Sequence, residues 1–196
     1  KSITRKDLII YIFRGLAHGF GVILWFYAMS RIPIAEVTAI SYTGPIYISI
    51  GAAIFFGEKL ALRRILAIII AFIGTLIILR PGFQEISLGQ LAQVISAPLF
   101  AISYLLSKEL TKNHNSLVIV CMLSVFVTLT IAPPALSVWV QPSMKEIICL
   151  VFVAILATLG HITLTQAIRS APIIIIQPIR FLQLVWAALI GYFIFS

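Results

Sequence analysis

Apolar residues in this chain come in long runs separated by short polar links, and seven of the runs are about as long as a membrane crossing demands. They cover Leu8 to Met29, Ile34 to Phe56, Leu62 to Leu79, Leu88 to Leu106, Leu117 to Val138, Ile147 to Ala167 and Ile173 to Phe195. At a helical rise of about 1.5 Å, roughly 20 residues bridge the ~30 Å hydrocarbon layer. Inside that layer a backbone must satisfy its own N–H and C=O groups, so each run predicts a helix. The alternating pattern of barrel strands is missing. The links "SRIP", "GEKLA", "RPGFQEIS", "SKELTKNHNS", "QPSMKE" and "RSAP" are short, and several hold a Gly or Pro that stops a helix. The pattern predicts an all-α fold, a polytopic membrane helix bundle with seven transmembrane helices.

Composition agrees: 61% of the 196 residues are hydrophobic and 10% charged, with a mean hydropathy of +1.13, where soluble domains carry about 25% charged residues. Charge then sets orientation, because cytoplasmic loops hold the excess of Lys and Arg. Assigning links to alternate sides puts ten basic residues (Lys1, Arg5, Lys6, Arg14, Lys59, Arg63, Arg64, Lys108, Lys112 and Arg169) on one side. Only Arg31, Arg80 and Lys145 fall on the other. The expectation is a multi-pass protein of the cell inner membrane with residue 1 in the cytoplasm and the lipid bilayer as its first partner. The net charge of +8 follows from this topology, so no nucleic-acid partner is expected. Cys121 and Cys149 sit inside apolar runs without CxxC spacing and read as small buried hydrophobes.

A displacement of 139 residues lays "AMSRIPIAEVTAISYTGPIYISIGAAIFF" on "AIRSAPIIIIQPIRFLQLVWAALIGYFIF", with five identities in 29 positions. The matching Pro33 and Pro172 each occupy a tight link between two runs, and Phe56 and Phe195 each close the second run. By the charge count the first link lies outside and the second inside. An inverted repeat around a midplane site is the usual construction of secondary transporters, although two apolar hairpins can also align by chance.

The last run contains an arginine, Arg180, which an insertion scale penalises by about 2.5 to 3.5 kcal/mol at a helix centre. One reading is snorkelling toward the headgroups. The other follows from Gln177, Arg180 and Gln183, which recur at every third residue and make one polar stripe facing a cavity, where the guanidinium binds a substrate carboxylate or phosphate. Across the repeat, Ser41 and Tyr42 would face that stripe, though Thr38 and Ser41 could equally bond their own helix carbonyls and Gly44-Pro45 could be a kink. Trp186 is a further cavity candidate, whereas Trp25 and Trp139 read as interface or packing aromatics. His161 is a candidate substrate contact and His18 a gate or coupling candidate, with a helix-to-helix hydrogen bond as the competing reading for each. Neither has a second His or a carboxylate at i+3 or i+4, so no metal site is expected. Arg14 is read as an interfacial or gate residue. Glu36 is a coupling candidate that could also serve the dipole of its helix. Gly15 and Gly19, Ala53 and Gly57, and Ala187 and Gly191 have the small-xxx-small spacing of close helix pairs.

Several of these features together carry a family resemblance: Arg14-Gly15-Leu16 entering a helix, Tyr27-Ala28 before the Pro33 hairpin, a small-residue helix closing with Gly57-Glu58, and a Gly-containing helix ending near Pro81-Gly82. This stretch resembles the third to fifth helices of an EamA-type unit of the drug/metabolite transporter superfamily, and the remainder resembles helices six to nine. The resemblance implies two inverted five-helix units, of which residues 1–81 hold the last three helices of the first and 88–196 the first four of the second. Helices one, two and ten would then be absent here. Within the family, "QPIRFLQL" is similar to the Pro-Tyr-Arg-Tyr-Leu-Glu-Leu stretch of S-adenosylmethionine uptake transporters, with Phe181 in place of a tyrosine and Gln183 in place of the glutamate.

The function expected is a secondary-active transporter of a small polar organic metabolite, amino-acid-derived or nucleoside-type, with S-adenosylmethionine as one candidate. It would work by alternating access. No ATP-binding loop and no cofactor motif is present, so a gradient or exchange partner, a proton or a second metabolite, would drive it. The alternatives are a membrane-embedded enzyme, for which the six acidic residues lie almost entirely at span edges, and a seven-helix receptor, which lacks a lysine in the last run for a retinal link.

Overall fold

In a computed structural model the described residues are 3–59, 86–173, 175 and 176, with Leu62, Ile65, Leu66, Ile69, Ile70 and Ile73 as further helical positions. Six helices have complete bounds: α1 (Arg5–Met29), α2 (Ile34–Ser41), α3 (Gly44–Phe56), α4 (Leu88–Leu110), α5 (Ser116–Ser137) and α6 (Met144–Ser170). Among the described residues no strand occurs. Five segments are long and apolar enough to cross a membrane, α2 and α3 counting as one from Glu36 to Phe56. Their starts and ends fall within a few residues of the predicted runs. Most of the run from Leu62 to Leu79 and most of the run from Ile173 to Phe195 lie outside the described residues, and so do Ala187 and Gly191 of the small-residue pairs.

Local chemistry sets the helix ends. Thr4, Ser87 and Ser143 each build a capping box with Asp7, Gln90 and Glu146, and the Asn115 side chain accepts the N–H of Val118. The run expected as one helix from Ile34 to Phe56 is broken at Tyr42 and Thr43. Pro45 has no N–H to offer the carbonyl of Ser41, and its ring crowds that carbonyl. The chain tightens instead: Tyr42 N–H donates to Ala39, Thr43 N–H to Ile40, and the Thr43 hydroxyl also to Ile40 at 2.8 Å. Gly57 is not a packing glycine as its spacing suggested. It caps α3 at φ +64° with open space around it, a conformation that costs glycine nothing.

α1 packs along α4 and α5, and its glycines allow this. A methyl group at Gly15 would overlap Cβ of Phe126, and one at Gly19 would lie 2.6 Å from Cβ of Thr130. On the other face of α4, Gly51 of α3 meets the Leu105 side chain in the same way. Such contacts let dispersion forces act between backbones where lipid supplies no hydrophobic drive. The faces left outside are apolar, among them Phe13, Phe20 and Phe26 on α1 and most of α6 from Met144 to Leu159. Cys121 and Cys149 lie on such exposed faces rather than in the core as expected, since α5 and α6 present those sides away from the packed helices.

Two polar ties close one end of the bundle. Asp7 Oδ2 lies 3.2 Å from Nε2 of the buried His114, joining the α4–α5 link to the start of α1. Lys108 Nζ donates to the carbonyls of Ile168 (2.7 Å) and Ala171 (2.9 Å), which the end of α6 leaves without helical partners, while Glu58 accepts the N–H of Ile173 at 3.2 Å. A cation at a helix C-terminus and a carboxylate at a helix N-terminus both have the favourable sign. Thermal unfolding of purified protein should therefore show two losses. Gly15→Val is expected to cost about 1–3 kcal/mol by overpacking, and Lys108→Met about 1.5–3 kcal/mol from its charge-assisted bonds.

Candidate functional site

The α2–α3 break turns Ser41, Tyr42 and Pro45 toward a cavity of about 300 Å³ that α1, α4 and α6 also line. α1 contributes Arg14, His18 and, further along, Trp25. These lie four and seven residues apart and share one helical face. α6 contributes His161 and Thr165, again one turn apart.

The α4 wall is polar and was not foreseen. Gln93, Ser96, Ser103 and Ser107 recur at helical spacing and are all buried, and three of them line the cavity beside Phe100 and Tyr104. The signal was present in "QVISAPLFAISYLLS" as a run of uncharged polar residues at i+3, i+7 and i+4 on an otherwise apolar helix. Gln93 Nε2 donates to Ser41 Oγ at 2.8 Å, and Ser41 in turn donates to the carbonyl of Val37 at 2.8 Å. Thr38 likewise bonds the Ile34 carbonyl. Both readings of these hydroxyls hold at Ser41: it serves its own helix and still presents a lone pair across the cavity edge.

Arg14, expected as an interfacial or gate residue, stands roughly 14 Å along the axis from the start of α1 and is only 4% exposed, enclosed between helices. Its Nη1 donates to the carbonyl of Ile119 in α5 at 2.8 Å, its Nε has no hydrogen-bond partner, and no carboxylate lines the cavity among the described residues. The burial follows from Gly15 and Gly19, which bring α1 so close to α5 that the guanidinium is enclosed. His18 makes the interhelical contact considered for it, Nδ1 lying 3.3 Å from Ser103 Oγ. It also meets His161, the ring centroids being 5.4 Å apart, a pairing invisible to spacing because 143 residues separate them. Trp25, read as an interface or packing aromatic, borders the cavity.

Glu36 is elsewhere. It accepts a hydrogen bond from Gln90, whose Oε1 takes the N–H of Ser87, so this carboxylate ties α2 to the start of α4 outside the cavity lining. Gln177, Arg180, Gln183 and Trp186 lie outside the described residues. Among the described residues no group of three His, Cys, Asp or Glu side chains could hold a metal ion.

Apolar helices around a chamber lined by both polar and apolar side chains define a multi-pass helical membrane protein. Residues 1–80 match the EamA-like transporter family, so the resemblance read from the sequence is borne out. An S-adenosylmethionine uptake transporter of Rickettsia bellii (strain RML369-C) is 29% identical over 187 residues, covering 95% of this chain and 64% of the relative. A pseudopaline exporter CntI of Pseudomonas aeruginosa (strain UCBPP-PA14) is 23% identical over 197 residues, 100% of this chain and 69% of the relative. A riboflavin transporter of Brucella anthropi is 25% identical over 206 residues, 100% and 71%. The chain thus spans a little under two thirds, 64%, of the length of the Rickettsia relatives it matches. No solved structure matches it.

The Gln93–Ser41 pair gives an asymmetric prediction. Ser41→Ala strands both ends of a buried amide, because Gln93 Oε1 already lacks a partner, and should cost about 1–3 kcal/mol. Gln93→Leu leaves Ser41 bonded to Val37 and should cost less than half as much in the same thermal-unfolding measurement.

Proposed function

We propose that the full-length protein is a secondary carrier for a small polar organic metabolite bearing a carboxylate, amino-acid-derived or nucleoside-type. The observation that carries this reading is Arg14: a guanidinium 4% exposed, lining a cavity with no described carboxylate to neutralise it. A buried cation with one carbonyl for company is costly, and a substrate carboxylate would remove that cost by a charge-assisted, bidentate pair. Around such an anchor, Ser41, Tyr42 and His161 would meet the polar part of the ligand, while Phe100 and Trp25 offer faces to a flat or apolar part.

The family match and the relatives support transport of small metabolites rather than an enzyme or a receptor, since the relatives are named as transporters or exporters. Their printed substrates differ, so they support the class more than any one compound. S-adenosylmethionine is the first compound to test, because its amino-acid carboxylate suits Arg14. Its sulfonium has no carboxylate to meet among the described lining residues, and Gln183 stands where the similar stretch has glutamate. The stripe of Gln177, Arg180 and Gln183, with Trp186, belongs to the same proposal as the wall contributed by the last run.

The architecture we infer for the whole protein is ten helices in two inverted units, with 1–81 and 88–196 as the parts present here, seven helices between them, and residue 1 on the cytoplasmic side of the inner membrane. Rocking of one unit on the other would expose the cavity to each side in turn, driven by a gradient or an exchanged metabolite. Glu36, bonded to Gln90, would then be a tie that closes the outer end.

Uptake of S-adenosylmethionine into proteoliposomes of the full-length protein tests this, with riboflavin, which has no carboxylate, as the contrasting compound. Arg14→Ala is expected to lower uptake of the transported compound by at least about tenfold, the loss of one charge-assisted contact, with Arg14→Lys recovering part of it. Unchanged uptake and affinity in Arg14→Ala would remove the anchor, and the same measurement on Arg180→Ala decides the role of that side chain.

A further inference from the structure

We propose that His18 and His161 form a single proton-binding site inside the cavity, and that the proton held there moves together with an anionic substrate group at Arg14. The inference rests on the carrier reading above and adds the coupling ion and its seat.

Geometry supports it in three ways. The two imidazoles meet edge to face, 5.4 Å between centroids, and both border the cavity while remaining only half-buried. A proton can therefore reach them from the chamber. Second, Ser103 Oγ lies 3.3 Å from His18 Nδ1. A hydroxyl can turn to donate to a neutral ring or accept from a charged one, so it suits either protonation state. Third, the rings come from two different helices, α1 and α6, while α1 is otherwise packed on α4 and α5. A movement that opens the chamber between α1 and α6 separates the rings and changes the affinity of the site for its proton.

The surrounding charges limit the pair to one proton and link that proton to an anion. Besides the two rings, the titratable or charged side chains lining the cavity among the described residues are Arg14 on α1, one turn from His18, Tyr42 at the α2–α3 break and Tyr104 on α4. α3 adds none, α6 adds none beyond His161, and α5 borders Arg14 through the Ile119 carbonyl. Two imidazolium ions this close, with a guanidinium beside them and no carboxylate among the described lining residues, would repel one another. A ligand carboxylate at Arg14 offsets that repulsion. By linkage the anion then strengthens proton binding by the factor by which the proton strengthens anion binding. Such reciprocity is the thermodynamic core of symport.

The full-length protein, labelled with 15N-histidine in nanodiscs, tests the site without any substrate. His18→Gln and His161→Gln assign the signals. The expected result is one shared titration step for the two rings, with His161→Gln moving the midpoint of His18. Two independent titrations, each indifferent to replacement of the other ring, would overturn the proposal. Coupling is read in proteoliposomes with S-adenosylmethionine as probe, as the ratio of uptake under an acid-outside pH gradient to uptake without one. The unaltered protein should show a ratio of about ten, falling to about one in either Gln variant whatever its absolute rate. A ratio near one in the unaltered protein, or a ratio preserved in both variants, also overturns it. Failure of the carrier reading shows separately, as absence of counterflow of every probe in the unaltered protein.

Discussion

The guanidinium of Arg14 rests on the carbonyl of Ile119, 105 residues away in the chain, at a distance of 2.8 Å. Much of the described structure exists to make that contact tolerable. A helical carbonyl keeps a second lone pair after its own helix bond is made, so α5 can receive the arginine without unwinding. Reaching that lone pair requires α1 and α5 almost in backbone contact, which only glycine at 15 and 19 permits. The next turn of α1 then brings His18 to Ser103. The alternative for a charge at this depth is to reach for the headgroups, but at 4% exposure the side chain has been enclosed instead. An enclosed charge with spare donors is a demand for a ligand or counter-ion, and the cavity beside it is where one would sit.

A second level of organisation concerns the helix ends. In hydrocarbon an unmade backbone bond has no water to fall back on, so each interruption of a helix needs its own partners. At the α2–α3 break the Thr43 hydroxyl and tightened turns take up the loose carbonyls, and Pro45 removes one donor that would otherwise go unmet. At the link after α6 the partners are ions from elsewhere, Lys108 on the carbonyls and Glu58 on the N–H of Ile173. The break that lets Ser41 and Tyr42 look into the cavity is therefore bought cheaply. The link after α6, by contrast, is held by residues remote in sequence.

What the chain discloses when read unaided follows from which forces are local. Hydrophobic runs, capping residues and the proline hairpins act within a few residues, so the spans of α1, α4, α5 and α6 were legible to within a turn. The partition of Arg14 was not, because counting it with the cytoplasmic charges assumes that a basic residue near a span end reaches water. The tight α1–α5 contact that overrides this is set by Phe126 and Thr130, more than a hundred positions away. Glu36 looked like a titratable group at the cavity for the same reason. Its bond to Gln90 depends on how α2 leans on α4, which no local pattern encodes. The α4 stripe was open to sequence reading, yet uncharged polar residues make a weak signal beside an intramembrane arginine.

The same distinction explains why the two histidines looked unrelated. Spacing rules find ligands that share a helix turn, whereas a site between two helices must draw one member from each. Such a site is by construction scattered in sequence. Arg14 and His18 lie one turn apart on α1, while His161 and Thr165 do so on α6, so each helix brings a short polar face and neither is a site alone. Only their apposition across the chamber gives a place where adding a proton, an anion or both changes the energy of bringing α1 and α6 together. A carrier needs a dependence of that form, because a ligand with equal affinity for two arrangements can shift neither.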